Sequence, residues 1–463
     1  MSISSFLTKR FLKSLFFPAH NRGKALPKNL KRLLAKPPGI WDLPELPEIG
    51  TSFSEKGLIA EAQKSLSKRF ITKKCFFGVN GATGLIQSGI ISMANPGECI
   101  LMPRNVHICV IKACAMQNIT PLFFNVEFDV ESGHYRPITK SWFKKVFKNL
   151  DLKDKKISGV VLVNPYYQGY SSELEPLIEI CHQNQLPVLV DEAHGSYFLF
   201  CENLNLPKSA LKSNADLVVH SLHKSLNGLT QTAVLWYKGD LIDGENLTRN
   251  IELLQTTSPS SLLLSSCEES LKDWMDIKNL SKYQKRILEA KLIFNKLSQR
   301  NIPLIETQDP LKIILNTSKA GIDGFTADKF FYQNGLIAEL PEARTLTFCL
   351  GFANQKEFAY LLEKLWKKLL KITNKTKDLK ALNPPFKFID YPEFPIGYAW
   401  RSKGSKIPLA ESSGKISGEI FCPYPPGIPL IVPGERIDSS RIEWIENQGL
   451  YNSDLVNSYI RVL

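Results

Sequence analysis

With 463 residues and 43% hydrophobic content, the chain is too long for one compact core and has enough apolar text for two or three. A net charge of +13, evenly spread, would point to nucleic acid or an acidic membrane. Much of the excess instead lies between Lys9 and Lys36, ahead of the first acidic residue, Asp42, so neither partner is expected. The nine cysteines have neither the paired spacing of a zinc site nor the density of a secreted disulfide framework, so no metal and reduced thiols in a cytoplasmic protein are expected.

The first 50 residues read as a basic arm. Phe6, Leu7, Phe11, Leu15 and Phe16 form a helical stripe suited to packing on another domain or subunit, and no secretory signal is expected. Residues 75–97 carry no charge, yet Asn80, Gly81, Gly84, Gln87 and Pro96 would make a costly membrane helix. A loop and a buried helix are expected instead. Within FFGVNGATGLIQSG, the glycines precede that helix, whose first amides and the Thr83 hydroxyl make a phosphate site. By itself the same text is a structural turn. In PRNVHICV, His107 has the shape to lie over a flat ring, although a lone histidine is more often simply packed.

Three short β-branched runs, at 157–163, 187–190 and 217–219, read as buried parallel strands. A helix over 172–184, with Ser171 or Ser172 as cap, makes the first two a βαβ unit. Functional groups in such sheets gather beyond the carboxyl ends of the strands, here residues 164–167, 191–194 and 221–224. Asp191 in VLVDEAHGSYF can face a pyridinium nitrogen and keep it protonated, as an electron sink requires. Lys224 in SLHKSLNGLTQTA follows a strand beside a hydroxyl and an imidazole; alone, it would pass for a solvated lysine.

Beyond residue 265 the text becomes helical, as at 281–300, and then offers strands at 312–315 and 345–349. The expected organisation is a basic arm (1–50), a major domain (51–265), a smaller α+β domain (266–366), a linker (367–385) and a C-terminal domain (386–463), the last marked by turns in PYPPGIPLIVPG.

Phosphate loop, ring histidine, strand-end aspartate and Ser-x-His-Lys, in that order, resemble the fold-type I pyridoxal-phosphate (PLP) enzymes, and more narrowly the ornithine/lysine/arginine decarboxylase family of bacterial type. The resemblance runs from PAHNRGK (18–24) and WDLPELPE (41–48) through NGATG, PRNVH, DEAHG, HKSLNGLTQTA and LLQTTSPSSLLLSS (253–266) to YPPGIPLIVPGE (424–435). It implies an α/β fold, a PLP-transferase-like major domain with a mainly parallel sheet, followed by the smaller α+β segment and the C-terminal domain. It also implies decarboxylation of a basic amino acid in polyamine metabolism by a homodimer with shared sites, in the short form without the N-terminal assembly domain of the family's large members.

Position by position, the resemblance implies that Lys224 carries the cofactor as a Schiff base, Asp191 pairs with the ring nitrogen and His107 stacks on the ring. Ala82, Thr83, Ser221 and His223 hold or flank the phosphate, Ala193 packs beneath the ring, and His194 completes the cofactor set. His223 and Lys224 both remain open as the acid that reprotonates the substrate carbon. Glu419 is the expected carboxylate for the cationic substrate side chain, across a dimer interface. Ala82 departs from the family's usual small hydroxyl residue, and Tyr197 from a frequent second histidine. Those departures keep open a non-catalytic regulatory relative, beside another fold-type I reaction such as an aminotransferase, which needs a carboxylate-binding arginine such as Arg344, or a lyase.

Overall fold

The computed structural model describes the chain except residues 1, 4, 6–12, 151–155, 356, 373–378, 380–381, 424–426 and 450–457. Phe6, Leu7 and Phe11 of the expected stripe, part of the expected linker, and residues 424–426 of the YPPGIP run lie outside the described residues.

Seven strands build the central sheet: β1 (Lys74–Gly78), β2 (Cys99–Pro103), β3 (Thr120–Phe124), β4 (Ile157–Val163), β5 (Val188–Asp191), β6 (Leu217–Ser221) and β7 (Ala233–Tyr237). Four strands follow, β8 (Leu304–Ile305), β9 (Lys312–Asn316), β10 (Leu340–Pro341) and β11 (Thr345–Cys349), and then β12 (Ile389–Asp390). The large sheet has the order β12-β3-β2-β4-β5-β6-β7-β1. β2 through β6 pair in parallel, whereas β7 is antiparallel to both neighbours and β12 to β3. Every residue of β2, β5 and β6 is buried, as a sheet covered on both faces demands. Consecutive residues go to opposite layers: Leu217 and Val219 join one core cluster and Val218 the other.

The uncharged stretch at 75–97 becomes β1 and then helix α1 (Gly81–Met93), buried nearly all round. α1 lies close on the sheet: a Cβ on Gly89 would sit 2.4 Å from Leu189 Cδ1. Among the described residues no helix is long and apolar enough to cross a membrane. Helix α2 (Ile108–Gln117) follows β2, and α3 (Leu174–Gln183) joins β4 to β5. The serine cap expected for α3 is not made. Glu173 is the N-cap residue without a side-chain bond. Ser172 turns away, accepting from Ile138 N–H and donating its own N–H to Asn164 Oδ1.

β8, β9, β11 and β10 form a four-stranded antiparallel sheet. Its apolar residues, among them Ile313 and Phe348, belong to the same core cluster as Val190 and Val218, so this unit packs continuously on one layer of the large sheet. A third cluster, with Leu409, Ile431, Ile437, Ile445 and Ile460, sits in the C-terminal segment.

That segment docks through charge. Arg104, at the end of β2, lies between the Phe123 and Phe386 rings, 4.4 and 4.5 Å from their centroids. Its guanidinium meets Glu435 at 2.7 and 3.1 Å, and Arg441 reaches the same carboxylate at 2.8 Å. The N-terminal segment is likewise tied down rather than loose. Lys13–Ser14 pair in parallel with Leu336–Ile337, Leu15 is fully buried, and Ala19 N–H donates to the His223 carbonyl at 2.9 Å.

Candidate active site

Strand register assembles the site. Ala233 of β7 pairs with both Gly78 of β1 and Ser221 of β6, so the start of α1 and the turn after β6 share one edge of the sheet. Asp191 closes β5 beside Val219 of β6 and Val163 of β4. His107 opens α2 just beyond β2. All of these lie at the carboxyl ends of parallel strands, where short turns can present side chains without breaking the ladder.

Lys224 sits partly exposed in the one-turn helix Leu222–Ser225. Its Nζ is 3.0 Å from His194 Nε2. Desolvation lowers the Lys224 pKa and Lys312 adds to the effect, while Asp191 and Glu339 oppose it. The amine is therefore more readily neutral, and nucleophilic, than a surface lysine. Asp191 is buried and its Oδ1 accepts from Ala193 N–H at 3.1 Å. Burial pushes its carboxyl up, opposed by the Lys224 charge, so a cationic ring N–H is the partner that would hold it ionised.

His107 Nδ1 accepts from Cys109 N–H at 3.2 Å, capping α2. Burial, then Lys224 and Lys112, lower it to about 4, leaving a neutral ring suited to stacking. His223 Nδ1 donates to the Thr232 carbonyl at 3.2 Å, and burial with Lys224 lowers it also to about 4. His194 is buried between Phe17 and Tyr167, with ring centroids at 5.4 and 4.5 Å, and among the described residues its Nδ1 has no hydrogen-bond partner.

At the other end of the crevice, α1 begins at Asn80 with no side-chain cap. Gly81 takes φ +65°, which a glycine adopts without strain, and its N–H goes to the Gln231 carbonyl. Ala82 is buried and Thr83 exposed just inside the uncapped end, where free amides suit an anion. Ser221 is buried at the end of β6, across the β1-β7-β6 row. These residues fit PLP: a partly exposed lysine, a buried carboxylate lacking a cation, a neutral ring histidine and an uncapped helix for the phosphate.

Two expected residues stand elsewhere. Glu419 is not brought to Lys224 within one chain; its Oε1 accepts from Arg461 N–H at 2.7 Å, inside the C-terminal segment. Arg344, the arginine that an aminotransferase would use, donates to the Glu131 and Leu379 carbonyls. Conversely, Phe17, Lys312 and Glu339 are not among the expected site residues. Phe17 N–H donates to Glu339 Oε2 at 2.9 Å, the Tyr167 hydroxyl donates to Oε1, and Lys312 Nζ stands 4.3 Å from the Phe17 ring centroid. The PAHNRGK motif begins immediately after Phe17 and Lys312 opens an expected strand, but neither signal points to the site.

An eight-stranded, mainly parallel sheet, with only β7 and the edge strand β12 reversed, and a lysine, aspartate, histidine and uncapped helix at its carboxyl edge, define a fold-type I PLP-dependent enzyme. Sequence models then narrow the class: Orn/Lys/Arg decarboxylase, major domain, matches residues 13–306, and the C-terminal domain of the same family matches residues 396–449. The chain belongs to the Orn/Lys/Arg decarboxylase family and is a PLP-dependent amino-acid decarboxylase. It is 28% identical to arginine decarboxylase of Bacillus anthracis, over 95% of this chain and 90% of the relative. Arginine decarboxylase of Bacillus subtilis is 27% identical, over 92% and 89%. Among solved structures it is similar to the constitutive lysine decarboxylase of E. coli, with TM-score 0.74 and 16% identity, covering 90% of this chain and 74% of that one. A lysine-to-alanine variant of serine palmitoyltransferase from S. paucimobilis with a bound PLP–myriocin aldimine matches at TM-score 0.51 and 14% identity, over 68% and 77%.

Proposed function

We propose that this decarboxylase converts a basic amino acid, arginine before lysine or ornithine, to its amine and CO2, as a step in polyamine metabolism. The observation that carries the reading is the Lys224 amine, held below its ordinary pKa beside His194 and in the field of Asp191. Arginine comes first because relatives matching almost end to end are named arginine decarboxylases, whereas the lysine decarboxylase of Pseudomonas aeruginosa is 21% identical over 84% of the chain.

PLP supplies the electron sink for the broken bond. Lys224 is the attachment point, Asp191 holds the ring nitrogen, His107 covers one face and Ala193 supports the other. The Ala82 and Thr83 amides, with Ser221 and His223, hold the phosphate, and His194 stands beside Lys224 Nζ. Of the two acids left open, Lys224 is the proton donor to the substrate carbon: His223, lowered to about 4, is neutral near pH 7, with Nδ1 committed to a carbonyl. In a cytoplasmic homodimer with shared sites, Glu419 serves the substrate side chain from across the interface. The aminotransferase alternative loses its arginine, since Arg344 is spent on two backbone carbonyls.

Two measurements check this reading. Protein loaded with PLP and given arginine, lysine and ornithine separately should release CO2 and the matching amine, fastest from arginine; no release from any of the three, with cofactor bound, overturns the substrate class. Ala82→Ser should restore a donor to the phosphate and tighten PLP binding about tenfold, the low end for a hydrogen bond to a charged group. Equilibrium dialysis reads it, and an unchanged affinity would remove Ala82 from the phosphate site.

A further inference from the structure

Amino-acid decarboxylation exchanges a carboxylate for a proton: the bond to the carboxyl carbon breaks, CO2 leaves, and the remaining carbon keeps the electron pair and takes one proton. Given the decarboxylase reading above, donation to carbon leaves Lys224 one proton short, and one proton from solvent makes up the deficit in every turnover, at Lys224 or at the departing amine. A path that ends at Lys224 refills it before the product leaves.

A second approach exists between the large sheet and the four-stranded unit. A cavity of about 20 Å³ is lined by Lys224, His194, Tyr197, Asp309, Lys312 and Cys349. That is room for one water, among enough polar groups to hold it. Asp309 and Lys312 also line a groove of about 840 Å³ on the outer side, with Glu173, Glu306 and Thr307. The Tyr197 hydroxyl donates to Asp309 Oδ1 at 2.6 Å, and Leu311 N–H donates to the same oxygen at 2.9 Å. Asp309 is 2% exposed and, among the described residues, has no basic group within ion-pair distance. Tyr197 is fully buried.

We propose that Asp309 and Tyr197 form a proton-return path, which carries one proton per turnover from the outer groove through the small cavity to the Lys224–His194 pair. Both act through Lys224 and touch no substrate. Burial raises the Asp309 carboxyl, opposed by Lys312 and the Tyr197 bond, so it takes up a proton far more readily than a surface aspartate. The titratable groups facing Lys224 are Asp191, Lys312, Glu339, His107, His194, His223 and the Cys109 thiol, which burial keeps protonated, and of these only Lys312 lines the outer groove. Tyr197, where the family more often has histidine, thereby acquires a role.

The test uses the PLP-loaded full chain and the isosteric variants Tyr197→Phe and Asp309→Asn. Without substrate, after a pH jump in stopped flow, the visible band of the lysine-bound cofactor should relax roughly tenfold more slowly in each variant, a modest share of what proton transfer contributes to catalysis. With substrate, kcat should fall by a similar factor at unchanged KM, with a larger solvent deuterium isotope effect than in the parent. Relaxation within twofold of the parent in both variants overturns the path. So does a fall in kcat with the parent's solvent isotope effect, since a domain contact alone would behave that way. The pH jump requires no turnover, so it remains readable if none of the three amino acids reacts.

Discussion

Lys224→Ala is expected to abolish the visible band of the lysine-bound cofactor and to reduce CO2 release by about 10³ or more, while the protein still folds. The variant removes the attachment point and the proposed proton donor together, and positioned proton transfer alone is worth about 10²–10⁴ in rate. Folding should survive because the lost amine is one that desolvation disfavours as an ammonium. Lys224→Arg should not rescue, since a guanidinium does not deprotonate in proteins. In the parent protein, cofactor capture should rise with pH and level off below the ordinary lysine range, because the folded-state pKa is lowered. Absorbance titration reads both effects. A normal band in the alanine variant would place the cofactor elsewhere.

Glu435→Ala is expected to destabilise the protein by about 3–5 kcal/mol, the cost of leaving buried charges without their partner. Glu435 is 3% exposed and is shared by Arg104 and Arg441, themselves 2% and 4% exposed, and it also accepts from Val432 N–H. Truncation leaves the buried Arg104 guanidinium without its carboxylate, while Arg441 keeps Asp438 at 3.5 Å and Asp390 at 3.9 Å; replacing Arg104, Glu435 and Arg441 by apolar residues of similar volume should cost far less. Burial alone would raise the Glu435 pKa, but Arg104 and Arg441 outweigh it and hold it below the usual carboxylate range. Its stabilising contribution is therefore complete above the unfolded-state pKa of a glutamate and is lost as pH falls through the lower folded value. Denaturant unfolding near neutral pH and again in acid reads both, and an equal cost of Glu435→Ala at the two pH values would sink the assignment. Function should follow stability here, because Ile108 N–H, next to His107, donates to the Gly427 carbonyl of the segment that this network docks.

The same contrast marks what was legible in the sequence. Asp191 and Lys224 could be placed because each follows a short β-branched run that announces a buried strand, whereas Thr83 was legible from the glycine loop before its helix and His107 from the PRNVH motif. The cap of α3 was misread because Ser171 and Ser172 are both good caps by type, and only the position of Asn164 diverts Ser172.

The sequence by itself determined the family and the cofactor, since those rest on short motifs whose residues and order resemble the decarboxylases', and strand and helix signals placed two of those motifs at the carboxyl edge of a sheet. Only the tertiary structure decided what stands around Lys224. Phe17, Lys312 and Glu339 come from separate segments and meet at distances no periodicity encodes. Lys312 reads as one more strand residue, and Glu435 as a surface glutamate after a turn, until packing removes the water and makes the neighbouring charge decide their energy.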